Sequence, residues 1–361
     1  MIYSIFPQKD TTIYNDYKKM NTGLDQVLEI RKSFYKINEG TIAETHTTQS
    51  SISRILIKFD LSEISSSVSV GSISNAKYYL KLNPCDAQRL ALDYTVEAYA
   101  ISQSWDMGNG FKASSPMVTE TGASWLFRIT GSLWTGSLTN STGGATFYSD
   151  ISSSQTFSYE SNGILMDVTS IVNAWMNGTK PNEGFILKYS NAIENDIKEY
   201  GAMTFFSRDT NTIYPPTLQV RWDDSTFSTA SLTELSSTDL DDVVFSVKGL
   251  KERYTKGEKP KIRLMARDRY PAKMYVTSSR YSLNKYLPSS SYYAIKDAHT
   301  EEIIIPFDTG STKISCDSNG NYLNLWTSGM QPERYYRLMF KIVDNTREQI
   351  FDNNYIFKIV R

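Results

Sequence analysis

Along most of the first two thirds of the chain, apolar and polar residues alternate with a period of two. Arg54-Ile55-Leu56-Ile57-Lys58-Phe59 places Ile55, Ile57 and Phe59 on one face of a strand. Ala76-Lys77-Tyr78-Tyr79-Leu80-Lys81-Leu82 puts Ala76, Tyr78, Leu80 and Leu82 on one face and both lysines on the other. Segments 94–100, 184–189 and 218–222 read the same way, and Ser/Gly/Asn/Asp/Pro turns separate them. Short strands between such turns predict a sandwich or barrel rather than alternating β-α units. One stretch departs from period two. In 167–175, Ile171, Val172 and Trp175 recur at helical spacing, Asp167 or Thr169 can cap the start, and Gly178 follows the end.

After Trp222-Asp223-Asp224, the polar run 225–230 reads as a short linker. Strand patterns then resume at 243–247, 261–264, 303–305 and 322–326. Segments 334–343 and 354–360 look like two arms of a hairpin, with a loop from Asp344 to Asn353. Asn319-Gly320, in Asp317-Ser318-Asn319-Gly320-Asn321, is a hairpin turn signal rather than a calcium loop, because the downstream bidentate acid is missing. The pattern predicts an all-β protein: a β-sandwich over 1–225, then an immunoglobulin-like β-sandwich over 226–361.

Composition narrows the chemistry. With 24 Tyr, 16 Phe and 6 Trp, the chain has the residue usage of β-sheet proteins. Two cysteines, Cys85 and Cys316, fall in different predicted domains and exclude a disulfide scaffold. With two histidines, His46 and His299, a multi-histidine metal centre is not expected. Asp60, Asp93, Asp150 and Asp167 are oxygen donors near turns, and no loop has calcium-loop acid density, so they read as turn stabilisers and no metal or cofactor is expected. The net charge of −1 conceals an asymmetry: residues 1–227 hold 18 basic and 23 acidic residues, and 228–361 hold 20 and 16. Within 248–273, ten Lys or Arg accompany three acids, and Lys259, Lys261, Arg263, Arg267, Arg269 and Lys273 share one parity. On a strand they form a basic face. It serves either as a solvated surface that resists edge-to-edge pairing or as a docking site for an acidic partner protein, with packaged nucleic acid as the less favoured ligand.

A set of residues over roughly 8–222 carries a resemblance. In order, they are Asp10-Thr11-Thr12-Ile13-Tyr14, Arg54 leading into Phe59-Asp60-Leu61-Ser62, Ile73 with Ala76 and Leu80, and Ser104-Trp105. Then come Gly122-Ala123-Ser124-Trp125, Trp134, Gly143-Gly144, Asp167-Val168-Thr169 and Val172 with Trp175. Asn182-Glu183-Gly184-Phe185, Phe205-Phe206-Ser207-Arg208 and Pro215-Pro216 complete the set. This succession resembles the DNRLRE family of jelly-roll carbohydrate-binding modules, although the string that names the family is absent and the loop 106–121 is altered. The resemblance implies a jelly-roll topology for the sandwich over 1–225, and glycan binding. Trp105 and Trp175, among apolar neighbours, read as core plugs; Trp125 and Trp134, in a Ser/Thr/Gly-rich region, are the candidate sugar-stacking rings, with core packing as the alternative.

The last third is similar to the C-terminal part of tailed-phage virion proteins. Tyr254-Thr255-Lys256-Gly257-Glu258-Lys259, Ala266-Arg267-Asp268-Arg269-Tyr270-Pro271 and Tyr292-Tyr293-Ala294-Ile295-Lys296-Asp297 carry that similarity. So do Gln331-Pro332-Glu333-Arg334-Tyr335-Tyr336 and Phe357-Lys358-Ile359-Val360-Arg361.

There is no nucleophile elbow, phosphate-binding glycine loop or H-E-x-x-H, and no carboxylate pair stands out from the other acids. The N-terminus lacks signal-peptide features, and no apolar run could span a membrane, so synthesis in a cytoplasm is expected. The sequence points to a non-enzymatic structural protein of a tailed-phage virion (neck, collar, tail or appendage) made in the host cytoplasm. Its expected partners are other virion proteins in a symmetric multi-copy assembly and bacterial surface polysaccharide, without membrane or direct nucleic-acid contact. The alternative is a glycan-binding module protein of a polysaccharide-degrading system, against which the missing leader and the absent catalytic domain weigh.

Overall fold

A computed structural model describes residues 1–38, 46–88, 90–91, 93–114, 117–119, 121–135, 143–158, 161, 163–235, 243–270, 285–344 and 347–361. The protein is all-β, with three short α-helices among the described residues. It packs as two compact units. One comprises Ile5–Val70 and Lys77–Gln219; the other comprises Met1–Ser4, Gly71–Ala76 and Val220–Arg361. Alternation alone carries no sign that residues 1–4 and 71–76 pack with the second unit.

The first unit is a β-sandwich. Its larger sheet runs, in spatial order, Phe147–Phe157, Tyr94–Ile101, Phe185–Tyr189, His46–Phe59, Val27–Asn38, Gly201–Phe206 and Pro84–Gln88. Pro7–Tyr14 pairs antiparallel with the C-terminal half of His46–Phe59. A smaller sheet holds Lys77–Leu82 between Ile164–Asp167 and Thr217–Arg221. Tyr78, Leu80 and Leu82 are buried as their alternation predicts. The helix appears at Thr169–Met176; Asp167 accepts from the Thr169 amide at 2.9 Å, and Gly178 sits at φ 70° beyond its end. Trp175 packs on Phe185 at 4.6 Å between ring centroids.

Phe185–Tyr189 is buried at every position. A strand alternates only when one face meets water, and here the second face is covered too. Leu56 and Ile186, which point away from Ile55, Ile57, Phe185 and Leu187, join Ile13, Tyr99 and Ile101 in a further apolar cluster. The segment after Ile101 covers this cluster with Trp105, Ala123, Trp125, Trp134 and Ala145.

The second unit contains two sheets. Val243–Lys248, Lys261–Asp268, Gly320–Asn324 and Ser315–Asp317 form the first. Arg253–Thr255, Arg347–Val360, Tyr335–Asp344, Ser291–Asp297 and Ile303–Ile305 form the second. The expected hairpin is present with its turn one residue earlier: Ser318-Asn319 join the strands, and Gly320, at φ 110°, opens the second one opposite Asp317. The long hairpin differs from expectation. Its second arm begins at Arg347, paired with Asp344, so most of the anticipated 344–353 loop is strand. Gln349 and Phe351 continue the inward alternation opposite Ile342 and Phe340. A bulge with Asn354 at φ 55° then shifts the register before Tyr355, breaking the pattern that the sequence would otherwise display.

Candidate functional site

Several residues carrying the carbohydrate-module resemblance meet around Arg54. From the strand His46–Phe59, Arg54 grips Glu194, at the end of the short helix Asn191–Glu194, with Nε to Oε1 at 2.9 Å and Nη2 to Oε2 at 2.6 Å. Its Nη1 donates to the Gly144 carbonyl at 2.6 Å, and its guanidinium lies 4.9 Å from the Trp125 ring centre. Gly143 and Gly144 adopt positive φ of 77° and 88°. A Cβ on Gly144 would come within 2.6 Å of the Arg54 Nη1. Lys188 donates to Asn191 Oδ1 at 2.7 Å and to the Tyr189 carbonyl at 2.9 Å, and lies 3.2 Å from Glu194. Burial pushes its ammonium down from the usual lysine range. The arrangement is a buried structural network that locks the covering segment onto the sheet.

Trp125 and Trp134 are 7% and 2% exposed, so neither offers a ring face to a sugar in this structure. Trp134 donates its indole N–H to the Ser124 carbonyl at 3.0 Å, and Trp125 accepts the Gly144 amide at 2.7 Å through its carbonyl. Their position over a second apolar sheet face explains the burial. That face could not be anticipated from a Ser/Thr/Gly-rich neighbourhood. Trp105 is also buried, with its indole N–H on the Glu183 carbonyl at 2.8 Å. Asp60 and Asp167 serve their own turns, whereas Asp150 lies on the strand Phe147–Phe157 and is no turn stabiliser. Asp60 accepts the Ser62 amide at 2.9 Å, and Asp150 is 2.8 Å from Lys180.

A cleft of about 450 Å³ opens elsewhere on the first unit. Strand register builds it. Ala202 lies between Arg31 and Gln88, and Thr204 lies between Glu29 and Asp86. Directly opposed residues share a sheet face, so small side chains form a floor between two polar walls. Leu28, Ile30, Met203 and Phe205 take the opposite, buried face. Ser33, Phe34, Lys112 and Glu199 complete the lining. The walls are pre-set by internal bonds. Glu29 accepts from Tyr14 Oη at 2.9 Å and from Lys112 at 2.5 Å, and Arg31 reaches Asp16 at 2.9 Å. The sequence carried no motif for this cleft, because its residues come from three strands and two connecting segments separated by long intervals.

In the second unit, Lys261, Arg263 and Arg267 share the outward face of Lys261–Asp268, as parity predicted. Lys248, opposite Arg263 in register, joins them and was not singled out by sequence. Lys259 precedes the strand and stacks over Trp326, with Nζ 3.5 Å from the ring centre. Arg269 follows the strand and is exposed, while Lys273 lies outside the described residues. Lys261 and Arg263 lie over Tyr322 at 3.6 and 5.2 Å, and both bind Asp317 at 2.7 and 2.5 Å. The hydrogen bond from Arg263 holds the Asp317 carboxyl well below the usual carboxylate range. The outward face of the other sheet is balanced differently. Lys296 and Arg337 share Glu301 and Asp352, Lys341 pairs with Glu348, and Lys358 pairs with Glu333.

No family model matches the chain, and no curated protein matches it.

Proposed function

We propose that this is a non-enzymatic structural protein of a tailed-phage virion, at the neck, collar, tail or an appendage. Its second unit docks through the basic sheet onto an acidic surface of neighbouring virion proteins, and its first unit contacts host surface glycan. The single observation that carries the docking part is the contrast between the two outward faces of the second unit. On one sheet Lys296 and Arg337 share Glu301 and Asp352, Lys341 and Lys358 each have a carboxylate, and of the outward cations only Arg253, opposite Lys358, has no ion pair among the described residues. On the other, Lys248, Lys261, Arg263 and Arg267 stand against one ion-paired carboxylate among the described residues, Asp317, which Lys261 and Arg263 bind. Aromatic stacking holds Lys261 and Arg263 in place before any partner arrives. Such pre-ordering lowers the entropic cost of association. The similarity of the last third to virion proteins supports the particle setting.

Substituting Lys261, Arg263 and Arg267 with Gln tests this reading. Incorporation into purified particles should fall several-fold while the thermal transition is kept. Unchanged incorporation would return the face to a solvated surface.

The cleft on the first unit favours a second reading, a glycan-binding module protein of a polysaccharide-degrading system. Recovery of the protein with purified particles separates the two, since the second reading places it with secreted polysaccharide-degrading enzymes.

A further inference from the structure

We propose that the slot over Gly201–Phe206 binds a neutral, hydroxyl-rich saccharide chain one sugar residue wide, and rejects uronic-acid polymers. This rests on the glycan-contact part of the function proposed above and is independent of docking by the basic sheet.

Width comes first. The walls stand two strand spacings apart, about 10 Å. That admits one layer of a six-membered ring, with hydrogen bonds of about 2.8 Å to either side. Gly201 and Ala202 keep the middle low, so the ring can descend between the walls.

The wall chemistry suits hydroxyls. A hydroxyl donates and accepts at once, so its binding site needs both kinds of group close together. Gln88 supplies an amide donor and acceptor, Asp86 supplies carboxylate oxygens beside it, and Gln88 Nε2 already orients Asp86 Oδ2 at 3.1 Å. Across the floor stand Arg31 and Ser33.

Charge sets the selectivity. The two cations of the lining, Lys112 and Arg31, are engaged by Glu29 and by Asp16 with Glu29 respectively. With Glu29, Asp86 and Glu199 against these two cations, and Asp16 behind Arg31, an incoming carboxylate would enter a partly enclosed site of net negative charge. Like charges so placed repel, and partial enclosure weakens the screening that water provides. A neutral chain meets no such barrier.

The test is affinity electrophoresis of the full chain through gels containing dextran, mannan or galactan, with polygalacturonate and alginate as the anionic set, followed by calorimetry on any polymer that retards it. At least one neutral polymer should retard the protein, and neither uronate should. Ala202→Leu, which fills the floor, and Gln88→Ala, at an exposed edge position, should each weaken binding at least tenfold with an unchanged thermal transition. Retardation by uronates as strong as by neutral polymers would overturn the inference, as would binding indifferent to both variants or no retardation by any neutral polymer. None of these failures touches recovery of the protein in virions, which tests the docking reading.

Discussion

Arg54 and Glu194 face each other fork to fork, joined by two parallel hydrogen bonds of 2.9 and 2.6 Å in a largely buried site. Charge-assisted bidentate pairs of this kind are strong and geometrically specific. Breaking a buried pair costs roughly 3–5 kcal/mol when the charge left behind has no partner; here Glu194 keeps Lys188 at 3.2 Å, which places the loss toward the low end. Arg54→Ala should therefore lower the unfolding free energy of the first unit by about that much, read from urea denaturation followed by tryptophan fluorescence. Arg54→Lys should rescue only part of the loss, because an ammonium cannot span both carboxylate oxygens and the Gly144 carbonyl together. Full rescue by lysine would show that charge, not the fork, holds the pair.

Gly144 makes a narrower prediction. Its φ of 88° already disfavours a side chain, and a Cβ would press on Arg54 at 2.6 Å and on Trp125 at 3.0 Å. Gly131, at φ 72°, has open space where a Cβ would go. Gly131→Ala should cost about 1 kcal/mol from backbone strain alone, and Gly144→Ala distinctly more. Equal losses in chemical denaturation would mean that Arg54 and Trp125 yield without penalty.

Asp10 couples stability to pH. Burial raises its carboxyl to about 7, against the opposing pull of the Arg208 amide at 2.8 Å. A carboxyl raised on folding stabilises the native state while it is protonated, below the unfolded value near 4. That contribution fades as pH rises toward 7. Asp10→Asn keeps an oxygen for the Arg208 amide and removes the ionisation. The variant should match the parent near pH 4 and be more stable at pH 8 by on the order of a few kcal/mol. A gain of the same size at both pH values would exclude ionisation as its source.

Alternation revealed the β class, eleven of the 23 strands among the described residues and the helix near Trp175, mostly where one face is wet and the other dry. It failed where that condition lapses. The pattern found the strand Phe185–Tyr189 but not its second dry face, because the cover there includes Trp125 and Trp134, set among residues that read as polar loop. The helix Ser62–Ser69 buries only Ile64, so five serines gave no periodic stripe to detect. Arg347–Phe351 hid behind polar residues and the bulge at Asn354. The same division applies to the candidate sites. Lys261, Arg263 and Arg267 lie on one strand and could be read from parity. Lys248 joins them by cross-strand pairing, and the cleft joins Arg31, Gln88 and Ala202 across intervals that only register closes.

The central claim is that this chain is a built-in component of a virion, and its presence in the particle tests that most directly. Quantitative mass spectrometry of gradient-purified phage from an infected culture producing the protein should find it at a fixed ratio to the major capsid protein, retained through repeated banding at moderate salt. Its absence from banded particles, with the protein recovered instead in the soluble lysate, would contradict the account.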